Sequence, residues 1–363
     1  MPGPIGPKGR GSPVNPAGRF EPRHVEAVWD DRESSEFDGT APGPATTVHV
    51  DHARTVLTRN DSPDVPFDAS VNPYRGCEHG CAYCFARPSH AYLNLSPGLD
   101  FETKIFAKPE AARLLRGELA KPGYRCVPIA LGTNTDPYQP IERSMRITRA
   151  ILELLAAHEH PFGIVTKSAL VLRDLDLIAP AAARRQANVM ISITTLDPAL
   201  ASTLEPRAAA PHVRLQILRA LAAAGVPCGV LASPMIPALN DHELERILTA
   251  AREAGATVAG WSLVRLPHEV KDVFAAWLDA HAPSRKEKIL AAIRATRGGA
   301  LNDPRFSARM RGEGVYAGLL ARRFDVAARR LGFTRERFQL DTAGFRRPSP
   351  DGAQRRLLEN LVP

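Results

Sequence analysis

The chain has no uninterrupted apolar run that approaches the length needed to cross a bilayer. Its opening residues, MPGPIGPKGRGSP, contain no apolar core after a basic start, so a secretory signal is not expected either. With no anchor and no export signal, the expected compartment is the cytoplasm, with no membrane partner. Aromatic residues make up only 6% of the 363 positions, and no basic strip rich in Phe and Tyr offers a stacking platform for single-stranded bases. Cysteine is scarce too: five in all, an odd and uneven set unlike an extracellular disulfide framework. What remains is a hydrophobic fraction of 44% and a charged fraction of 24%, the composition of a globular protein long enough for one large domain or two ordinary ones. The net charge of +8 permits attraction to nucleic acid or another polyanion, although the basic residues are scattered over helix faces in the ordinary solvated pattern.

Three of the five cysteines stand together in residues 72–90, NPYRGCEHGCAYCFARPSH. Cys77, Cys81 and Cys84 form C-x3-C-x2-C with no fourth cysteine nearby, while Cys126 and Cys228 lie in apolar surroundings and read as small core residues. The cluster admits two readings. A structural zinc site needs four ligands, and His79 or His90 would have to supply the fourth. Alternatively, three thiolates hold three irons of a [4Fe-4S] cluster, whose full protein complement is usually four cysteines, and leave one iron open. Gly76 and Gly80 allow the backbone to turn tightly around such a group, and His79 then reads as a solvent-facing loop residue.

Around this loop the chain alternates. Short apolar runs at 71–74, 127–133, 162–166, 188–194, 226–232 and 257–264 read as buried strands. Helical patterns at 108–120, 141–158, 170–185 and 211–224 separate them, with a further helix that Asn240 and Glu243 cap and Gly255 ends. Strands alternating with helices imply right-handed crossovers and parallel pairing. The expected fold class is α/β: a partial (β/α)6 TIM-like barrel over residues 70–265, with the cysteine loop at the carboxyl end of its first strand. Residues 1–45 read as a disordered basic leader rich in Pro and Gly, 46–69 as an N-terminal extension, and 89–107 as irregular. Helices at 270–281, 284–297 and 313–331 make 266–345 a helical C-terminal extension, followed by a flexible tail at 346–363. Polar residues at the strand ends, Asn134, Asp136, Lys167 and Ser192, would meet in one cavity, with turn chemistry or a solvated lysine as the plainer explanation. Arg309, Arg311 and Tyr316 form a polar patch that would either close over the barrel mouth or begin a solvated helix.

Tyr83 completes C-x3-C-x-aromatic-C, which resembles the signature of the radical SAM superfamily. The resemblance implies a [4Fe-4S] cluster on Cys77, Cys81 and Cys84, with S-adenosylmethionine (SAM) chelating the open iron through its amino and carboxylate groups. A low-potential donor of flavodoxin or ferredoxin type would reduce the cluster. Reductive cleavage of SAM would then give a 5′-deoxyadenosyl radical that takes hydrogen from a substrate. Over residues 70–265 the order Val165-Thr166-Lys167, Ser192-Ile193, Glu205-Pro206, Ala224-Gly225-Val226-Pro227, Ser233-Pro234 is similar to the spore photoproduct lyase-like group, often labelled DNA repair photolyases. That similarity implies Lys167 and Ser192 as contacts of the SAM carboxylate and the Tyr83 backbone as an adenine contact. It also implies a nucleic-acid-directed lyase, which would need an extruded or single-stranded target. One departure stands out: the lyases place a hydrogen-donor cysteine at the end of the second strand, where this chain has Gly132-Thr133-Asn134. The reading from a different class is a non-catalytic nucleic-acid-binding protein stabilised by zinc or by a cluster.

Overall fold

The computed structural model describes residues 9–20, 45–334, 336 and 338–349. The rest of the expected leader and most of the expected tail lie outside the described residues. Ten strands run in chain order: β1 (Thr47–Val50), β2 (Leu57–Arg59), β3 (Ala69–Val71), β4 (Tyr74–Arg75), β5 (Lys104–Ala107), β6 (Ile129–Leu131), β7 (Phe162–Thr166), β8 (Ala187–Ser192), β9 (Cys228–Met235) and β10 (Val258–Leu263). Seven form one sheet in the order β10-β9-β8-β7-β6-β3-β2. From β3 through β10 every neighbour is parallel, and only β2 at the edge runs antiparallel, against β3. This is the expected six-fold partial barrel, left open between β10 and β2. Its strands are apolar because both faces are covered: Leu131, Ile164, Val189, Ile191 and Val230 have no exposed surface. Amphipathic helices supply the outer layer, among them Ile147–Ala157, which buries Ile151, Leu152 and Leu155.

Several local expectations are corrected. The first strand does not run through 71–74. Pro73 has no N–H to continue the ladder, so β3 stops at Val71 and the chain leaves the barrel as β4. Residues 89–107 are not irregular: a 3-10 turn at Arg87–Leu93, a helix at Leu99–Thr103 and β5 build a second sheet, β1-β5-β4, beside the cysteine loop. The helix expected at 141–158 breaks at Arg146 (φ 52), where the Glu142 carboxylate accepts from the backbone N–H of Thr148 at 3.0 Å and starts a new helix. Asn240 and Glu243 are not a capping pair. Asn240 Nδ2 donates to the Thr194 carbonyl at 2.7 Å, and the Glu243 carboxylate accepts from Leu196 N–H at 2.9 Å, so both brace the loop after β8. An unforeseen helix, Pro198–Leu204, follows that loop, started by Asp197 accepting from Ala199 N–H at 2.8 Å. Finally, residues 9–20 are not a loose leader, because Gly11 and Ser12 are buried against the cysteine loop. The C-terminal helices among the described residues are Val270–His281, Lys286–Ala295, the short Ala308–Arg311 and Gly314–Arg330.

Candidate functional site: a cavity walled by three thiols

A cavity of 1100 Å³ opens at the carboxyl ends of the parallel strands and runs down into the barrel. Cys77, Cys81, Tyr83, Cys84, Asn134, Asp136, Lys167 and Ser192 all line it. Of the polar patch, Arg309 and Arg311 reach the cavity, whereas Tyr316 turns away and donates its hydroxyl to Asp241 at 2.5 Å. Cys126 and Cys228 do not line it, so no thiol but the three of the loop stands on the wall among the described residues. The glycine at the end of the second barrel strand has a steric reason. Gly132 has φ +86, and a Cβ there would fall 2.0 Å from the Val165 carbonyl oxygen.

The cysteine loop is pinned along its length. Cys77 N–H donates to the Phe101 carbonyl at 2.9 Å, Ala82 N–H to Leu204 at 3.0 Å and Cys84 N–H to Cys81 at 3.2 Å. Gly80 has φ +66, and the chain of Gly11 lies so close that a Cβ on Gly11 would meet the Gly80 carbonyl oxygen at 1.5 Å. On this outer side Arg87, fully buried, donates from Nε to the Cys81 carbonyl at 2.9 Å and from Nη2 to the Glu102 carboxylate at 2.5 Å. Glu102 also accepts from Gly11 N–H at 3.0 Å and Ser12 N–H at 2.8 Å.

All three loop cysteines are free thiols, and burial raises the pKa of Cys77 and pushes that of Cys81 up to about 12. A tetrahedral zinc with sulfurs at ~2.3 Å would draw them within ~3.8 Å of one another. Among the described residues, no three Cys, His, Asp or Glu side chains converge in the manner of ligands to a single ion. Neither histidine completes such a set. His79 is not solvent-facing as expected: it is 2% exposed, with Nδ1 3.4 Å from the Asp136 carboxylate. His90 packs between Phe101 and Phe106, with Nε2 on the Lys104 carbonyl at 2.9 Å. Three thiols spread along one wall match a group in which each sulfur takes its own iron.

On the barrel side a second buried network carries the charge. The Tyr83 hydroxyl donates to the Glu205 carboxylate and lies 3.1 Å from Thr194 Oγ1, which itself donates to Glu205 at 2.8 Å. Arg214 closes the network from Nη2 to Glu205 Oε2 at 2.5 Å and from Nη1 to the Ser192 carbonyl at 3.1 Å. Burial would raise the Glu205 pKa, but Arg214 and Lys167 hold it down at about 2. Lys167 Nζ lies 4.0 Å from Glu205 and 6.0 Å from the centroid of the Tyr83 ring. Burial pulls the lysine down, and Cys81 and Glu205 more than offset it, so its pKa is raised and the ammonium stays charged.

The remaining strand-end residues divide by what their side chains already do. Asp136 is saturated by the protein: Thr166 Oγ1 at 2.7 Å, Tyr138 N–H at 2.9 Å, Lys167 N–H at 2.9 Å and His79. Burial would raise its pKa, and His79 with these donors lowers it to about 2. It ties the ends of β6 and β7 to the cysteine loop. Ser192 gives its hydroxyl proton to the Ser233 carbonyl at 3.0 Å. Asn134 donates only its backbone N–H, to Asn72 at 3.1 Å, and its side-chain amide is open to the cavity. Arg214 was missed by the sequence reading although its position carried the signal: it stands on the same helix face as buried Ile217, Leu218 and Leu221. Arg265, on the cavity wall, gave no such signal.

Fold and site together define a partial barrel whose cavity is walled by three unpaired thiols. The family model described as the radical SAM superfamily matches residues 71–251. An uncharacterized protein of Mycobacterium tuberculosis is 41% identical over 246 residues, 67% of this chain and 71% of that protein. An uncharacterized protein of Methanocaldococcus jannaschii is 29% identical over 173 residues, 48% of this chain and 62% of that one. Among solved structures, a point mutant of spore photoproduct lyase superposes with a TM-score of 0.52 at 16% identity, covering 78% of this chain and 77% of the lyase, a likeness of fold. The chain belongs to the radical SAM superfamily and is a radical SAM enzyme, a family that implies SAM and an iron–sulfur cluster as cofactors. No helix of the described residues is long and apolar enough to cross a membrane.

Proposed function

We propose that Cys77, Cys81 and Cys84 hold a [4Fe-4S] cluster with one iron open to SAM, and that the cavity beneath is where a substrate loses hydrogen. The observation that carries this reading is the set of three unpaired thiols on one cavity wall, where, among the described residues, no fourth cysteine stands and the one histidine, His79, is held by Asp136. Bound there, the cluster would supply one electron to the SAM sulfonium, from which a 5′-deoxyadenosyl radical departs. The chain's residues bind and orient. The Lys167 ammonium, kept charged by Glu205, pairs with the SAM carboxylate. Ser192 has its proton committed to Ser233, so it offers lone pairs and suits the SAM amino group better than the carboxylate. Asn134 presents a free amide. The Tyr83 N–H and C=O enter no backbone hydrogen bond and are available to adenine. Asp136 acts as a positioning residue that fixes Lys167 relative to the loop. A low-potential flavodoxin- or ferredoxin-like protein would deliver the electron. A nucleic-acid substrate is consistent with the net charge of +8.

Anaerobic reconstitution with iron and sulfide tests the assignment. A brown protein is expected, with a paramagnetic signal on reduction that SAM shifts, and with 5′-deoxyadenosine formed only when reductant is present. Each of Cys77→Ala, Cys81→Ala and Cys84→Ala should lose the colour while keeping a native circular dichroism spectrum. A colourless protein that takes up one zinc and leaves SAM intact would falsify the reading.

A further inference from the structure

The cavity carries more positive charge than SAM requires. Lys167 stands at the end of β7. Arg265, just past the end of β10, lies 4.1 Å from the centroid of the Phe85 ring, and Phe85 directly follows Cys84 and is 43% exposed. Arg311 lies 4.8 Å from the centroid of the Trp261 ring on the same cavity. Arg309 is neutralised by Asp64 at 2.5 Å, but among the described residues Arg265 and Arg311 make no hydrogen bond and no ion pair. A guanidinium stacked by its face on an aromatic ring leaves its N–H edge free. For Arg265 this is costly: burial, then Arg309 and Arg297, lower its pKa to about 10. It stays protonated at neutral pH, desolvated and beside like charges, and the nearest carboxylate, Asp64, offsets them only in part because it is already paired with Arg309. An anion supplied from outside would complete the site.

We propose that the substrate carries an oxyanion, phosphate or carboxylate, and that Arg265 receives it with Arg311 in support, on the β10 side of the cavity, while Lys167 keeps SAM on the β7 side. The guanidinium fork pairs two oxygens of such a group at once, which sets the substrate's orientation as well as its affinity. At 1100 Å³ the cavity exceeds the ~300–1,000 Å³ that ordinarily encloses a single small ligand, so a second molecule fits beside SAM. The location of the site rests on the function proposed above.

Calorimetric titration of the full chain with pyrophosphate and, separately, with succinate tests the proposal before any cluster is assembled, so its outcome is independent of the reconstitution experiment. Saturable binding of at least one probe is expected, weakened about tenfold or more in Arg265→Gln, less in Arg265→Lys and Arg311→Gln, and unchanged in Arg322→Gln, an exposed arginine outside the cavity. Preference for pyrophosphate assigns a phosphate-bearing substrate, and preference for succinate a carboxylate. Failure of both probes to bind, or equal binding by Arg265→Gln with a native circular dichroism spectrum, would overturn it. So would a variant that binds both probes normally but shifts the reduction potential of the reconstituted protein, since Arg265 would then serve the cluster's own charge.

Discussion

The cysteine loop is gripped from two sides by the same chemical device, a buried carboxylate–guanidinium pair, and the two pairs differ in what they face. On the outside, Arg87 and Glu102 are both fully buried; Arg87 spends its donors on Glu102 and on the carbonyls of Cys81, Pro97 and Gly98, and neither residue touches the cavity. On the inside, Arg214 and Glu205 are 1% and 2% exposed, yet Glu205 also holds the Tyr83 hydroxyl and faces Lys167 at 4.0 Å. The outer pair is closed on itself and works as a staple. The inner pair sets the charge of a cation on the cavity wall. Buried ion pairs are weak evidence for net stability, because their desolvation offsets their attraction. Loop geometry on one side and electrostatics on the other are what these two provide.

That contrast can be broken most forcefully at Arg87. Arg87→Met leaves the Glu102 carboxylate buried with two backbone donors and the half-buried Arg10 guanidinium nearby, and a loss of ~3–5 kcal/mol in urea unfolding is expected. Arg214→Met should cost less, since Lys167 remains beside Glu205; an equal loss would erase the distinction. Next in size is an acid effect at the inner pair. The Glu205 pKa is depressed from the ordinary 4.5 to about 2, so its contribution is present in full above pH 4.5 and disappears as pH falls toward 2. Glu205→Gln should therefore flatten stability against pH in that window by roughly 1.4 kcal/mol per pH unit, whereas its stability at neutral pH falls by a pH-independent amount. Smaller still, Lys167→Gln should weaken SAM binding by about tenfold, ~1.4 kcal/mol, with iron uptake unchanged. Ser192→Ala should weaken SAM binding only a few-fold, ~1 kcal/mol, by the same equilibrium dialysis.

The barrel was legible because a parallel strand buried on both faces must be a continuous apolar run, and FGIVT or ANVMIS between two helical patterns has few other readings. Its first strand was misplaced by the one residue type that cannot extend a ladder, Pro73. The layer from Arg87 to Ala107 was hidden because its elements are too short to show a period: Phe101 packs in a small cluster with Cys77 and Ala86, while Ile105 and Ala107, from a four-residue strand, join the main core. All eight residues singled out for the site stand on the cavity, since strand ends of a barrel converge by construction. What composition could not tell was occupancy: Asp136 spends its oxygens within the protein, and Asn134 keeps its amide open. Arg214 was readable from its place on an apolar helix face; Arg265 was not, because one more arginine in a chain with 47 basic residues announces nothing.

The segment around Gly11 has a practical corollary. Two of the three hydrogen bonds that the Glu102 carboxylate accepts come from the backbone at positions 11 and 12, and no side-chain substitution can replace them. A protein trimmed to begin at the barrel would keep the three loop sulfurs and lose two of that carboxylate's three donors. A shortened variant should therefore keep residues 9–20, so that the backbone at Gly11 and Ser12 still seats against Glu102.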